Sequence, residues 1–245
     1  MSIGDHLAEL RVRLIKALAI VLVCFVVALC FQDRLMWVMT RPHAWAMDRL
    51  ASEGGTAQTK LLTLTYQEGF MAYMKLSFIA SIFVASPAVA YQIWAFVAAG
   101  LYKGERKWVF VFAPFTLLLF VAGCLFGYFV LIRFGLGYLA TYGDPNLMQT
   151  GLTLSMYLSL VMTMTIVAGA IFELPIVMLF LSKVGLVKPN FWHKFRRYMI
   201  VVIFIVAALL TPPDVVTQLL MAGPLLVLYE IGVGLAYLTA RKAAG

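Results

Sequence analysis

Runs of apolar residues, each long enough to cross a bilayer and each bounded by charge, constrain this chain more than any other feature of its sequence. Leu14 to Phe31, Phe70 to Ala99, Trp108 to Leu131 and Leu152 to Leu181 meet or approach the roughly 20 residues that about 30 Å of hydrocarbon requires. Backbone polar groups in lipid must be satisfied within their own segment, so these runs predict transmembrane helices. Two shorter runs follow, Tyr198 to Leu210 and Val215 to Tyr229, separated only by Thr211-Pro212-Pro213-Asp214. Prolines there cannot continue a helix, which predicts a tight hairpin. The expected fold class is an all-α integral membrane protein. It has a single polytopic domain over 1–245, with six spans at about 14–31, 70–99, 108–131, 152–181, 198–210 and 215–237. Runs of 13 to 15 residues make the fifth and sixth helices short, roughly 20 to 23 Å at 1.5 Å per residue.

Charge gives the orientation. Of the 19 Lys and Arg residues, 13 fall on one side of the expected spans: Arg11, Arg13, Lys16, Lys103, Arg106, Lys107, Lys183, Lys188, Lys194, Arg196, Arg197, Arg241 and Lys242. Arg34, Arg41, Arg49, Lys60, Lys75 and Arg133 fall on the other. The positive-inside rule makes both termini cytoplasmic, as an even number of spans requires. A net charge of +8 could also suit nucleic acid, but these cations sit in short clusters between apolar runs and set topology instead. The first run exceeds a typical signal-peptide core and no small-x-small cleavage site precedes Gln32, so it is taken as a retained first span.

With 63% apolar and only 12% charged residues, against about a quarter charged in soluble domains, the chain is built for lipid. Cys24, Cys30 and Cys124 all lie within apolar runs and form no metal or disulfide pattern. His6, His43 and His193 fall on separate segments, so neither a metal site nor any other cofactor is expected. No H-E-x-x-H, G-x-S-x-G or Walker A stretch occurs, and the chain is not expected to be an enzyme. Pro87, Pro114, Pro175 and Pro224 lie within spans and predict kinks. In the long segment from Gln32 to Phe70, Pro42 to Leu50 reads as a short amphipathic helix ahead of Gly54-Gly55, capping the outer face.

Ionisable groups within spans mark function, because a charge at the bilayer centre costs about 2.5–3.5 kcal/mol even on insertion scales. Glu173, in Ala170-Ile-Phe-Glu-Leu-Pro175, is the one charge between Leu152 and Leu181. Its carboxyl is either satisfied inside its own bundle or meets a polar group on a partner. Glu230 reads as an interfacial residue near the end of the last span. On the basic side the acids are few: Asp5, Glu9 and Glu105. Ser2 and Asp5 have capping-box spacing ahead of Glu9, and Leu7, Leu10 and Leu14 share a helical face. Taken alone, Glu9 is an i, i+4 partner for Arg13 worth about 0.3–0.5 kcal/mol, and Glu105 a solvated acid at a helix start.

Several stretches in order along nearly the whole chain alter that assessment: His6-Leu-Ala-Glu-Leu-Arg-Val-Arg-Leu14, Tyr91-Gln-Ile-Trp-Ala-Phe96, Gly100-Leu-Tyr-Lys-Gly-Glu-Arg106, Phe172-Glu-Leu-Pro175, Arg196-Arg-Tyr198 and Leu210-Thr-Pro-Pro-Asp-Val-Val-Thr-Gln218. Together they resemble TatC, the polytopic core subunit of the twin-arginine protein translocase. The resemblance implies six spans with both termini cytoplasmic, kinked helices in a concave glove-like shape, and a place in the cell (inner) membrane. It implies a receptor for twin-arginine signal peptides that helps export folded proteins using the proton-motive force. The carboxylates that would bind the signal match Glu9 and Glu105, with Arg11 and Phe96 beside them. Glu173, Asp214 and Gln218 match positions in contact with single-span partners of the TatA and TatB type in a multimeric complex. Pro42 matches a proline of the outer cap. Ala99 and Tyr66 stand where the family usually carries prolines. The alternative is a proton-coupled small-solute secondary transporter working through Glu173, and a further one is a scaffold for other membrane proteins.

Overall fold

The computed structural model describes residues 3–52, 60–102, 104–139 and 152–241. Ser2, Gly54-Gly55, Lys103 and Lys242, used above, lie outside them. The chain is helical: α1 (Ile3–Cys30), α2 (Gln32–Ser52), α3 (Tyr66–Gly100), α4 (Arg106–Phe126), a π-helical turn (Gly127–Ile132), α5 (Arg133–Leu139), α6 (Leu154–Phe172), α7 (Leu174–Lys183), α8 (Pro189–Lys194), α9 (Arg196–Leu210) and α10 (Val215–Arg241). Among the described residues, extended pairing is limited to an isolated bridge between Leu62 and Thr153.

Among the described residues, five helical stretches are long and apolar enough to cross a membrane: Gly4–Cys30, Tyr66–Gly100, Arg106–Leu139, Leu154–Lys183 and Val215–Leu238. Helix α9, with 15 residues, reaches about 22 Å and is short as expected. Helix α10 is not short. It runs for 27 residues, covering the whole expected 215–237 span and not only the apolar run that stops at Tyr229, and Glu230 within it pairs with Arg196 at the start of α9.

Three further departures have local causes. Helix α2 begins at Gln32 and not at Pro42, and Pro42 is fully buried in its interior. A proline at 42 frees the carbonyl of residue 38. The Tyr128 hydroxyl donates to that Val38 carbonyl, so the helix continues through the proline. The fourth expected span is two helices: α6 ends at Phe172 and α7 begins at Leu174, with Glu173 as their junction and Pro175 in the first turn of α7. The apolar stretch that begins at Trp108 passes through the π-turn and continues to Leu139. Tyr66, where a family proline is common, opens α3 directly after the Thr65 cap, a position that favours proline.

Side-chain contacts sort the helix termini into two ends. One end carries the start of α1, the finish of α3, the start of α4, the finish of α7 and the α8–α9 region, with Arg196 paired to Glu230 and Tyr237 Oη donating to Asn190 at 2.8 Å. The opposite end carries α2, the start of α3, α5, the start of α6 and the α9–α10 turn. There Tyr157 Oη donates to the Met39 carbonyl at 2.6 Å, and Glu68 accepts from the Leu64 and Ser155 amides at 2.7 and 3.0 Å. Three apolar clusters join the ends: one around Leu76, Ile132 and Tyr157, one around Met178, Ile203 and Tyr229, and one around Trp94, Phe112 and Ile176. Helices α4 and α6 meet at backbone distance. A Cβ on Gly123 would stand 2.5 Å from the Ala168 carbonyl oxygen, and one on Gly127 3.0 Å from that of Met164. This is the small-residue approach that membrane helices use in place of a hydrophobic driving force.

Candidate functional site

Helix α1 packs along α3, and the face it turns inward is polar near its start. His6, Glu9 and Arg13, spaced i, i+3 and i+7, are all half-buried, while Leu7, Leu10 and Leu14 face outward. The His6 ring stacks on Phe96 with centroids 4.5 Å apart. Gly100 lies under the same ring, where a Cβ would come within 3.2 Å of His6 Cε1. Arg13 completes the seam: its Nε donates to Glu9 Oε1 at 2.8 Å and its Nη1 to Gln92 Oε1 at 3.1 Å. The local pairing expected for Glu9 is therefore present, and Arg13 also ties it to α3. Arg11 is exposed on the same helix turn.

Glu105 follows the end of α3 closely. The α3 helix stops at Gly100, Leu101 turns extended, and the Glu105 amide donates to the Tyr102 carbonyl at 2.9 Å. Its carboxylate accepts from the Tyr102 amide at 3.3 Å and makes no capping bond to α4, although Glu105 occupies the position just before that helix. One long hydrogen bond leaves most of a carboxylate's acceptor positions open. Glu9, Arg11, Phe96 and Glu105 are thus brought to one end by two helices and one turn, with no direct contact between the two acids. His6 and Gln92 belong to the same constellation and were not picked out from sequence. The signal was there in His6, Glu9 and Arg13 lying on one face.

The remaining candidates lie elsewhere. Glu173 sits at the α6–α7 junction, near Thr116 of α4, which accepts from Trp94 Nε1 at 3.0 Å. Its Oε1 is buried without a partner among the described residues. Asp214 caps α10, accepting from the Thr217 amide at 2.7 Å and from its hydroxyl. Gln218 Nε2 donates to the Phe204 carbonyl of α9 at 3.2 Å, so both residues brace the α9–α10 hairpin. Pro42 is at the same end, inside α2.

Residues 5–224 match the family model described as Sec-independent protein translocase protein (TatC). The Sec-independent protein translocase protein TatC of Koribacter versatilis (strain Ellin345) is 37% identical over 243 residues, covering 99% of this chain and 87% of the relative. That of Desulforapulum autotrophicum (strain ATCC 43914 / DSM 3382 / VKM B-1955 / HRM2) is 37% identical over 229 residues, covering 94% and 82%. Among solved structures, a crystal structure of the twin arginine translocase receptor TatC superposes with a TM-score of 0.79 at 35% identity, covering 96% of this chain and 99% of the other.

Proposed function

This chain belongs to the TatC family of Sec-independent protein translocase proteins, and from that premise we propose that Glu9 and Glu105 receive the two arginines of a twin-arginine signal peptide. The chain is a membrane-embedded translocase component and not an enzyme. The observation that carries the reading is the seating of His6 on Phe96 and Gly100, which gathers the two acids at one end while Glu105 keeps open acceptor positions. A guanidinium offers planar paired donors to a carboxylate; an ammonium does not, so Lys-Lys is a poor substitute for Arg-Arg at such a site. Arg13, already bonded to Glu9, is displaced or shared when an incoming arginine arrives, and Arg11 and Phe96 flank the peptide.

In this reading the acid-bearing end and both termini are cytoplasmic, in the cell inner membrane, and six spans form a concave wall along which the signal's apolar segment lies. The unpaired Oε1 of Glu173 meets single-span partners of the TatA and TatB type in a multimeric complex, with Asp214 and Gln218 shaping the hairpin against which they pack and Pro42 stiffening the outer cap. Energy comes from the proton-motive force. Site-specific photocrosslinking from positions 9 and 105 tests the receptor role, using signal peptides with Arg-Arg or Lys-Lys in membranes holding this protein. Crosslinks that need the arginine pair and vanish in Glu105→Arg support it; crosslinks indifferent to both changes refute it.

A further inference from the structure

Trp108, in the first turns of α4, is approached by two ammonium groups from different helices. Lys107 Nζ lies 5.5 Å from the ring centroid and Lys183 Nζ, at the end of α7, lies 4.3 Å from it. Two like charges around one ring are held no more than about 10 Å apart, a separation at which they repel. Two other cations at this end are matched, Arg13 with Glu9 and Arg196 with Glu230. Neither lysine is paired with a carboxylate among the described residues. The first turn of α4 carries Arg106 and Lys107 and no acid, and the carboxylate beside it, Glu105 at the preceding position, turns to the Tyr102 amide without capping the helix, whose dipole favours an anion.

We propose that this is a binding site for the phosphate of an anionic phospholipid, held between Lys107 and Lys183 with its glycerol region against the Trp108 ring. Lipid is the source because the site continues into an apolar track. Val111 and Phe115, one and two turns further along the same face of α4, are exposed and offer a bed for an acyl chain. An indole flanked by basic side chains is also the pairing found where helices meet headgroups.

The test uses the full chain in phosphatidylcholine nanodiscs doped with a minor fraction of brominated phosphatidylglycerol or, in parallel, brominated phosphatidylcholine, reading tryptophan quenching. The charged lipid is expected to quench in excess of the neutral one, reflecting enrichment of about fivefold for each lysine. Trp108→Phe removes that excess. Lys107→Gln with Lys183→Gln abolishes it while quenching by the neutral lipid is unchanged, and Lys107→Arg with Lys183→Arg retains it. Equal quenching by the two lipids in the unaltered chain, or an excess that survives the double Gln change, overturns the proposal. So does loss of the excess on adding millimolar inorganic phosphate, which would make the site one for the free anion.

Discussion

The two ends of the molecule spend their polar groups differently. At the end with α2, side chains reach across many residues to backbone atoms: Tyr128 to the Val38 carbonyl, Tyr157 to that of Met39, Glu68 to the Ser155 amide. Each such bond ties one segment to another, and at Tyr157 it satisfies the hydroxyl of a fully buried ring. At the opposite end, Glu9 is bonded within its own helix and Glu105 within its own turn, and cations outnumber acids. A network that consumes its donors and acceptors internally holds shape; one that keeps acceptors in reserve can take a ligand.

Substitutions separate the two. The largest loss of stability is expected for Tyr157→Ala, which empties a fully buried ring position and strips the Met39 contact, at about 3–5 kcal/mol, read as a lower unfolding midpoint in detergent. Tyr157→Phe keeps the ring and loses the hydroxyl, with an expected cost of about 1 kcal/mol. Asp214→Ala uncaps α10 at a similar cost of about 1 kcal/mol, and restoring Asn there should recover most of it. Least of all, Glu9→Gln should change the midpoint by no more than about 0.5 kcal/mol, since it removes one local ion pair, while weakening arginine-dependent crosslinking. A Glu9→Gln midpoint as low as that of Tyr157→Ala would erase the distinction between the ends.

Much of this architecture is legible in the sequence because lipid imposes long unbroken apolar runs, and the α9–α10 turn is written in Pro212-Pro213. What escaped depends on partners far along the chain. Pro42 reads as a helix boundary until Tyr128, 86 positions later, supplies the missing donor. Glu230 reads only as an interfacial residue until Arg196 is placed opposite it. Pro175 signalled a bend, and the structure makes it a full break at Glu173, with Pro175 in the first turn of a new helix. At the candidate site the acids were legible through the family pattern, while the ring seat of His6 on Phe96 is a tertiary contact that no spacing encodes.

The glycine seam fixes where this protein can bend. With Gly123 against the Ala168 carbonyl and Gly169 under Cys124 and Phe120, a one-residue slide of α4 past α6 would drive a side chain into backbone. The pair behaves mechanically as a weld. A rearrangement that keeps this contact has to pivot elsewhere, and the breaks at Phe31 between α1 and α2 and at Glu173 between α6 and α7 are places where a single residue separates two helices.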